Sequence, residues 1–336
     1  MTAQKNPSGK GTAKAIVFLL FCGLIGVLAY LFVDFAAITD TFLGSGFEPS
    51  AEVAALIESD DLTKTGLRIM NASKPELLEA SEFNGICYSG LERESSVLGC
   101  YTNNSIYVYN IQNDELDGIK ETVLAHELLH AVWHRMSYND RKNLYDDLDQ
   151  IYFANLDELG SHMEGYASED HYDELHSVIG TQISSDKLTA DLREHYAKYF
   201  NNQKKIVSYY EKYNDKFATL EKRTTELEAQ INAKKAQIET KTQKYESESA
   251  DLIKNIESFN ARAENGGFAD SASFYAERNE LVSRQNQLQA DYVALNELIS
   301  ETNELIAEYN NNVVEVGKLY DSVNSRVAAP AGSIED

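Results

Sequence analysis

From residue 204 to residue 325 the chain has no proline, and its only glycines are at 266, 267 and 317. Helix can therefore run nearly unbroken, and the apolar residues follow a coiled-coil repeat of alternating three- and four-residue steps. In the second arm the expected seam is Leu281, Leu288, Tyr292, Leu295, Ile299, Ile306, Tyr309, Val313, Val316 and Tyr320, with Gln285 and Thr302 in the missing steps. In the first arm it is Tyr213, Phe217, Leu220, Leu227, Ile231, Ile238, Tyr245, Leu252 and Phe259, with polar gaps at Thr224, Lys234, Lys241, Glu248 and Asn255. Asn265-Gly266-Gly267 supplies the break, so the arms fold back as an antiparallel pair extending about 75–85 Å. Two isolated helices bury a thin core. A coiled-coil partner protein or a second copy would thicken it; a passive spacer is the competing reading.

The amino-terminal end differs. Residues 15–33 are nineteen uncharged, mostly apolar positions, close to the length of a membrane-crossing helix. Lys5, Lys10 and Lys14 precede it and acids follow it. The positive-inside rule then predicts a single-pass protein with a cytoplasmic amino terminus and everything after residue 34 outside. Its length and its end in Tyr30-Leu31-Phe32-Val33 argue against a cleaved signal peptide. Overall, 54 acids face 30 bases for a net charge of -24, which excludes nucleic-acid binding through a basic surface.

Cys87 and Cys100 are the only cysteines beyond that segment. The residues around them, 86–88, 97–101 and 106–109, read as short strands, and a disulfide closing this hairpin or two buried thiols both fit. Ser105 to Ile111 reads as a strand, Asn113 to Gly118 as a polar turn, and Glu121 to Met136 as a helix burying Val123, Leu124, Leu128, Ala131 and Val132.

That helix contains His126-Glu127-Leu128-Leu129-His130. Residues four apart share a helix face, so His126 and His130 can hold two corners of a tetrahedral zinc, and Glu127 can act as general base on a metal-bound water. All seven histidines fall between His126 and His195, as a metal and proton-transfer site would require.

Strand, turn and HELLH helix resemble the zincin metallopeptidases over roughly residues 83 to 200. In that family the strand borders the cleft and an extended substrate can pair with it. The third ligand cannot be His134, which lies about 12 Å along the helix axis from His126. Trp133 and Met136 stand where the metzincin extension needs Gly and His. Glu174, 44 residues beyond His130, opens a segment resembling the gluzincin E-x-x-[SA], with Ser177 at the small position. Glu164, Glu169 and His171 are rivals. The resemblance implies an oxyanion donor near the third ligand, for which Tyr166, Tyr172, His176 and His195 are candidates. Asp173 is placed to orient a histidine or to start a helix in solvent.

The expected class is α+β. A basic tail at 1–14 and one transmembrane helix at 15–33 lead through a helical juxtamembrane region at 34–82 to a zincin-like domain with a short sheet at 83–203. A coiled-coil hairpin at 204–327 follows, turning near 262–272, and a disordered tail ends the chain at 328–336. The function this implies is an extracytoplasmic, membrane-anchored zinc peptidase acting on a peptide or protein substrate. The alternative is a coiled-coil scaffold with a structural or inactive zincin-like domain.

Overall fold

The computed structural model describes residues 35–87, 97–163 and 170–326. These residues form two compact units, one running to Asn110 and resuming over Gly118–Tyr210, the other comprising Ile111–Asp117 and the chain from Glu211 onward.

Three short helices open the first unit: α1 (Phe35–Leu43), α2 (Ala51–Ser59) and α3 (Lys64–Ala72). Ser50 and Thr63 cap α2 and α3 by accepting from the backbone N–H of Val53 and Gly66. Strand β1 (Glu76–Leu78) and helix α4 (Ala80–Cys87) follow, then β2 (Gly99–Thr102) and β3 (Ser105–Tyr109). Asn103 and Asn104 turn β2 into β3 with φ of 51° and 60°, the left-handed pair of a tight two-residue hairpin that asparagine tolerates. The sheet order is β1–β3–β2, with β1 parallel and β2 antiparallel to β3.

Beyond the sheet come α5 (Ile119–Arg135), α6 (Tyr138–Lys142), α7 (Tyr145–Ala154), α8 (Leu156–Met163), α9 (His171–Gln182) and α10 (Ala190–Tyr196). Helix α5 is central. Leu124, Leu128, Ala131 and Val132 pack with Leu56 of α2, Ile69 and Met70 of α3, Ile106 and Val108 of β3, and Val178 and Ile179 of α9. Ile106 and Val108 point one way from β3, while Tyr107 and Tyr109 pack against Phe83 and Cys87 of α4, as the two-residue period of a strand dictates.

Three expectations are corrected. The fold is predominantly helical, its sheet limited to strands of three, four and five residues. Ile86 and Cys87 end a helix and not a strand, because Phe83 and Cys87, four apart, share its buried face. The expected membrane span at 15–33 and the tail at 1–14 lie outside the described residues, and among these no helix is long and apolar enough to cross a membrane. The expectation of one transmembrane helix, and the single-pass, extracytoplasmic placement resting on it, is corrected accordingly. The tail expected at 328–336 also lies outside the described residues.

The second unit contains an antiparallel helical pair. Helix α11 (Gln203–Glu264, 62 residues) and α12 (Ser271–Ser322, 52 residues) flank the break at Gly266-Gly267. Phe217 meets Tyr320, Tyr245 meets Tyr292 and Phe259 meets Phe274. Lys216–Glu315, Arg223–Glu308 and Lys234–Glu301 ion pairs run beside the seam.

Half of the expected α12 seam is displaced by one residue: Asn312 and Leu319 are buried where Val313 and Tyr320 are exposed, and Leu298 is more covered than Ile299. Leu298-Ile299, Leu305-Ile306 and Leu319-Tyr320 are apolar in either register, so these pairs do not separate the two. The Asn312 amide does: it donates to Leu220 O at 2.9 Å and Thr224 Oγ1 at 2.5 Å, satisfying a buried polar group in one register.

Gly180 sets the approach of α9 to α5. A Cβ there would lie 2.4 Å from Leu129 Cδ1 and 2.6 Å from Tyr196 Cε1. Such overpacking costs about 1–3 kcal/mol. Gly180→Ala is therefore expected to lower the Tm of the first unit in calorimetry by roughly 2–10 °C; an unchanged Tm would mean the interface has slack.

Candidate metal centre

His126 and His130 leave α5 on one face, and their Nε2 atoms are 3.1 Å apart. Helix α9 brings Glu174, in its first turn, to the same point: Oε1 is 3.5 Å from His126 Nε2 and Oε2 is 3.4 Å from His130 Nε2. Bonds of about 2.0–2.1 Å in a tetrahedral zinc site place neighbouring donor atoms about 3.3 Å apart. The observed separations bracket that value, and the donor set of two imidazoles and a carboxylate suits zinc. Among the described residues these three form the only group of His, Cys, Asp or Glu with ligand spacing.

Asp173, beside Glu174 on α9, sets the state of His130. Its Oδ1 lies 2.7 Å from His130 Nδ1, so that nitrogen carries the proton shared with the carboxylate and Nε2 faces the other donors. The second oxygen, Oδ2, is 3.0 Å from His134 Nε2. Burial pushes the Asp173 carboxyl up, but hydrogen bonds with His130 and His134 outweigh it and bring the pKa to about 2. Burial likewise opposes ionisation of Glu174, and His126 and His130 overcome it, holding that carboxyl well below the usual range. For His130, burial disfavours the charged ring, yet hydrogen bonds to Asp173 and Glu174 raise its pKa well above the ordinary histidine value. The cluster is built to stabilise positive charge at its centre.

Glu127 is 4% exposed. Burial raises its pKa, with His130 and His126 partly offsetting the effect. Strand β2 runs directly against it: a Cβ on Gly99 would stand 2.6 Å from Glu127 Oε1 and 2.6 Å from Val123 Cγ1. Only glycine fits there. The next residue, Cys100, is joined by a disulfide to Cys87 at a Cα–Cα distance of 5.8 Å, tying β2 to α4. Sequence reasoning put the Ser105–Ile111 strand at the cleft, but β3 is the middle strand and the edge strand beside Glu127 is β2.

The other candidates go elsewhere. His176 and His195 are buried and paired, Nε2 to Nε2 at 2.8 Å, with His176 5.0 Å from the Trp133 ring. Burial, then the neighbouring His195, pushes His176 well down; burial, then Lys198, brings His195 to about 4. Tyr172 stacks on Tyr145 with centroids 3.8 Å apart and donates its hydroxyl to Asp149. His171 packs against Tyr152 and Tyr172. Tyr166, Glu164 and Glu169 lie outside the described residues. Sequence reasoning missed Gly99, whose role depends on a strand packed against Glu127; His134, set aside there as a ligand, supports the cluster from outside through Asp173, which it shares with His130.

No family model, no curated protein and no solved structure matches this chain.

Losing the carboxylate that orients a ligating histidine typically weakens metal binding 10–100-fold. Asp173→Asn is expected to weaken zinc binding by that factor in competition with a chromophoric chelator, with unchanged circular dichroism. Wild-type affinity would show that His130 is oriented by other means.

Proposed function

We propose that the chain is a zinc-dependent metallopeptidase whose ligands are His126, His130 and Glu174. The observation that carries the reading is the tetrahedral spacing of three converging donor atoms beside a buried, otherwise unexplained Glu127. Zinc bound there supplies a Lewis acid for the scissile carbonyl and a water of lowered pKa. Glu127 would serve as the general base and then as the proton donor to the leaving amine; its raised pKa brings it closer to the operating range of a general base. Asp173 keeps the Nδ1 proton of His130 in place, so Nε2 remains a donor to the metal. The outer edge of β2 offers backbone groups for an extended peptide to pair with, next to Glu127. Gly99 keeps that strand close without a side chain between peptide and base.

The scaffold alternative draws on the length of the helical pair. It gives no reason to gather five ionisable groups around one point, a buried Glu127 and the half-buried His126, His130, Asp173 and Glu174, an arrangement costly to stability unless charge is matched.

Glu127→Gln is expected to bind one zinc per chain like the wild type and to lose peptide cleavage by about 10²–10⁴-fold. Glu174→Ala is expected to lose tight zinc binding altogether. Metal content by atomic absorption and cleavage of a quenched-fluorescent peptide library measure both. A wild-type chain that takes up no zinc, or a Glu127→Gln chain that cleaves normally, would contradict the reading.

A further inference from the structure

The register shift in the helical pair leaves a row of apolar side chains at the edge of the seam, where Tyr292 and Tyr320 touch Tyr245 and Phe217 on one side and stay half-exposed on the other. Tyr292, Ile299, Ile306, Val313 and Tyr320 recur every seven residues along α12, and Tyr292, Val313 and Tyr320 are 43–48% exposed. Val293 and Val314, each about 100° further round the helix, are 46% and 57% exposed. Asn303 and Asn310 lie between these two rows and offer free-standing amide groups to a neighbour. Helix α12 thus has two apolar faces, one against α11 and one open among the described residues. The first arm differs: Ile253 is its one large apolar residue exposed among the described residues. An apolar row recurring from Tyr292 to Tyr320, about 42 Å of helix, exceeds the scattered apolar exposure of an ordinary surface.

Charge decides what fits. Between Arg284 and Lys318 there is no Lys or Arg, but there are six acids: Asp291, Glu297, Glu301, Glu304, Glu308 and Glu315. Three of them, Glu301, Glu308 and Glu315, pair with bases of α11. Glu297 and Glu304, which border the open face away from the seam, take part in none of those pairs. A second copy docked through this face would bring another acid-only arm in either orientation, and like charges disfavour it. We propose that the open face of α12 docks a basic amphipathic helix of a partner protein, which completes a three-helix coil by covering Tyr292, Ile299, Ile306, Val313 and Tyr320. This docking does not depend on the metal centre being catalytic.

Two synthetic 28-residue peptides test it on the full chain. Both carry leucine at alternating three- and four-residue steps; one has lysine and the other glutamate at the flanking positions. In fluorescence anisotropy the lysine peptide is expected to bind at least tenfold more tightly than the glutamate peptide, and less tightly as salt is raised. Ile299→Gln and, separately, Tyr292→Gln are expected to weaken it at least tenfold with unchanged helical circular dichroism. Ile253→Gln, on the first arm, is expected to leave it unchanged. The proposal is overturned if neither peptide binds, if both bind equally, or if Ile253→Gln weakens binding as much as Ile299→Gln. Sedimentation that shows a dimer dissociated by Ile299→Gln would overturn it too, because the face would then belong to a second copy.

Discussion

The close packing of α9 on α5 is the contact on which the candidate site depends. Gly180 leaves Leu129 and Tyr196 against the α9 backbone with no room for a Cβ, and that approach carries Asp173 and Glu174 to the two histidines of α5. Two of the candidate ligands come from one helix at a spacing that the helix itself enforces. The third and its supporting carboxylate come from another, and only tertiary packing can put them there. Leu175, Val178 and Ile179, buried on α9 immediately after Glu174, couple the position of the donor to the hydrophobic core.

That arrangement sets stability against chemistry. Carboxylates buried at a single point would repel one another, and the histidines offset them only in part. The consequences are visible in opposite directions: Glu174 and Asp173 are held ionised by the imidazoles, while Glu127, further from compensation, has its pKa raised by burial. Groups of one type driven apart in proton affinity are what a site needs if some carboxylates are to bind a cation and another is to exchange protons. The neighbouring His176–His195 pair is different in kind. His176 packs against Trp133 and Tyr196 and His195 against Tyr196 and Tyr199, a polar inclusion of the core that the clustering of histidines in the sequence did not distinguish from the site.

Local periodicity made part of this legible. His126, Glu127 and His130 announce themselves because a helix face is fixed by spacing. Glu174 could be singled out because the segment from Glu174 to Ser177 resembles the gluzincin E-x-x-[SA] pattern, not because periodicity marks it. The hairpin was half-legible: the strands expected at 97–101 and 106–109 fall near the observed Gly99–Thr102 and Ser105–Tyr109, while the tight turn at Asn103-Asn104 was not read. What depends on distant packing stayed hidden. Strand β1 is three residues long and pairs in parallel with β3, so no local alternation reveals it. Gly99 looks like any turn glycine until Glu127 is found against it. In the helical pair, Leu298-Ile299, Leu305-Ile306 and Leu319-Tyr320 fit either register, and at the Asn312-Val313 step the polar residue takes the covered position with its amide hydrogen-bonded across the pair.

Anomalous diffraction at the zinc edge from crystals of the zinc-loaded chain tests the central claim most directly. The expected result is one strong peak per chain, about 2.0–2.2 Å from the Nε2 atoms of His126 and His130 and from a carboxylate oxygen of Glu174. A peak bound elsewhere, one that excludes Glu174, or none at this cluster would contradict it.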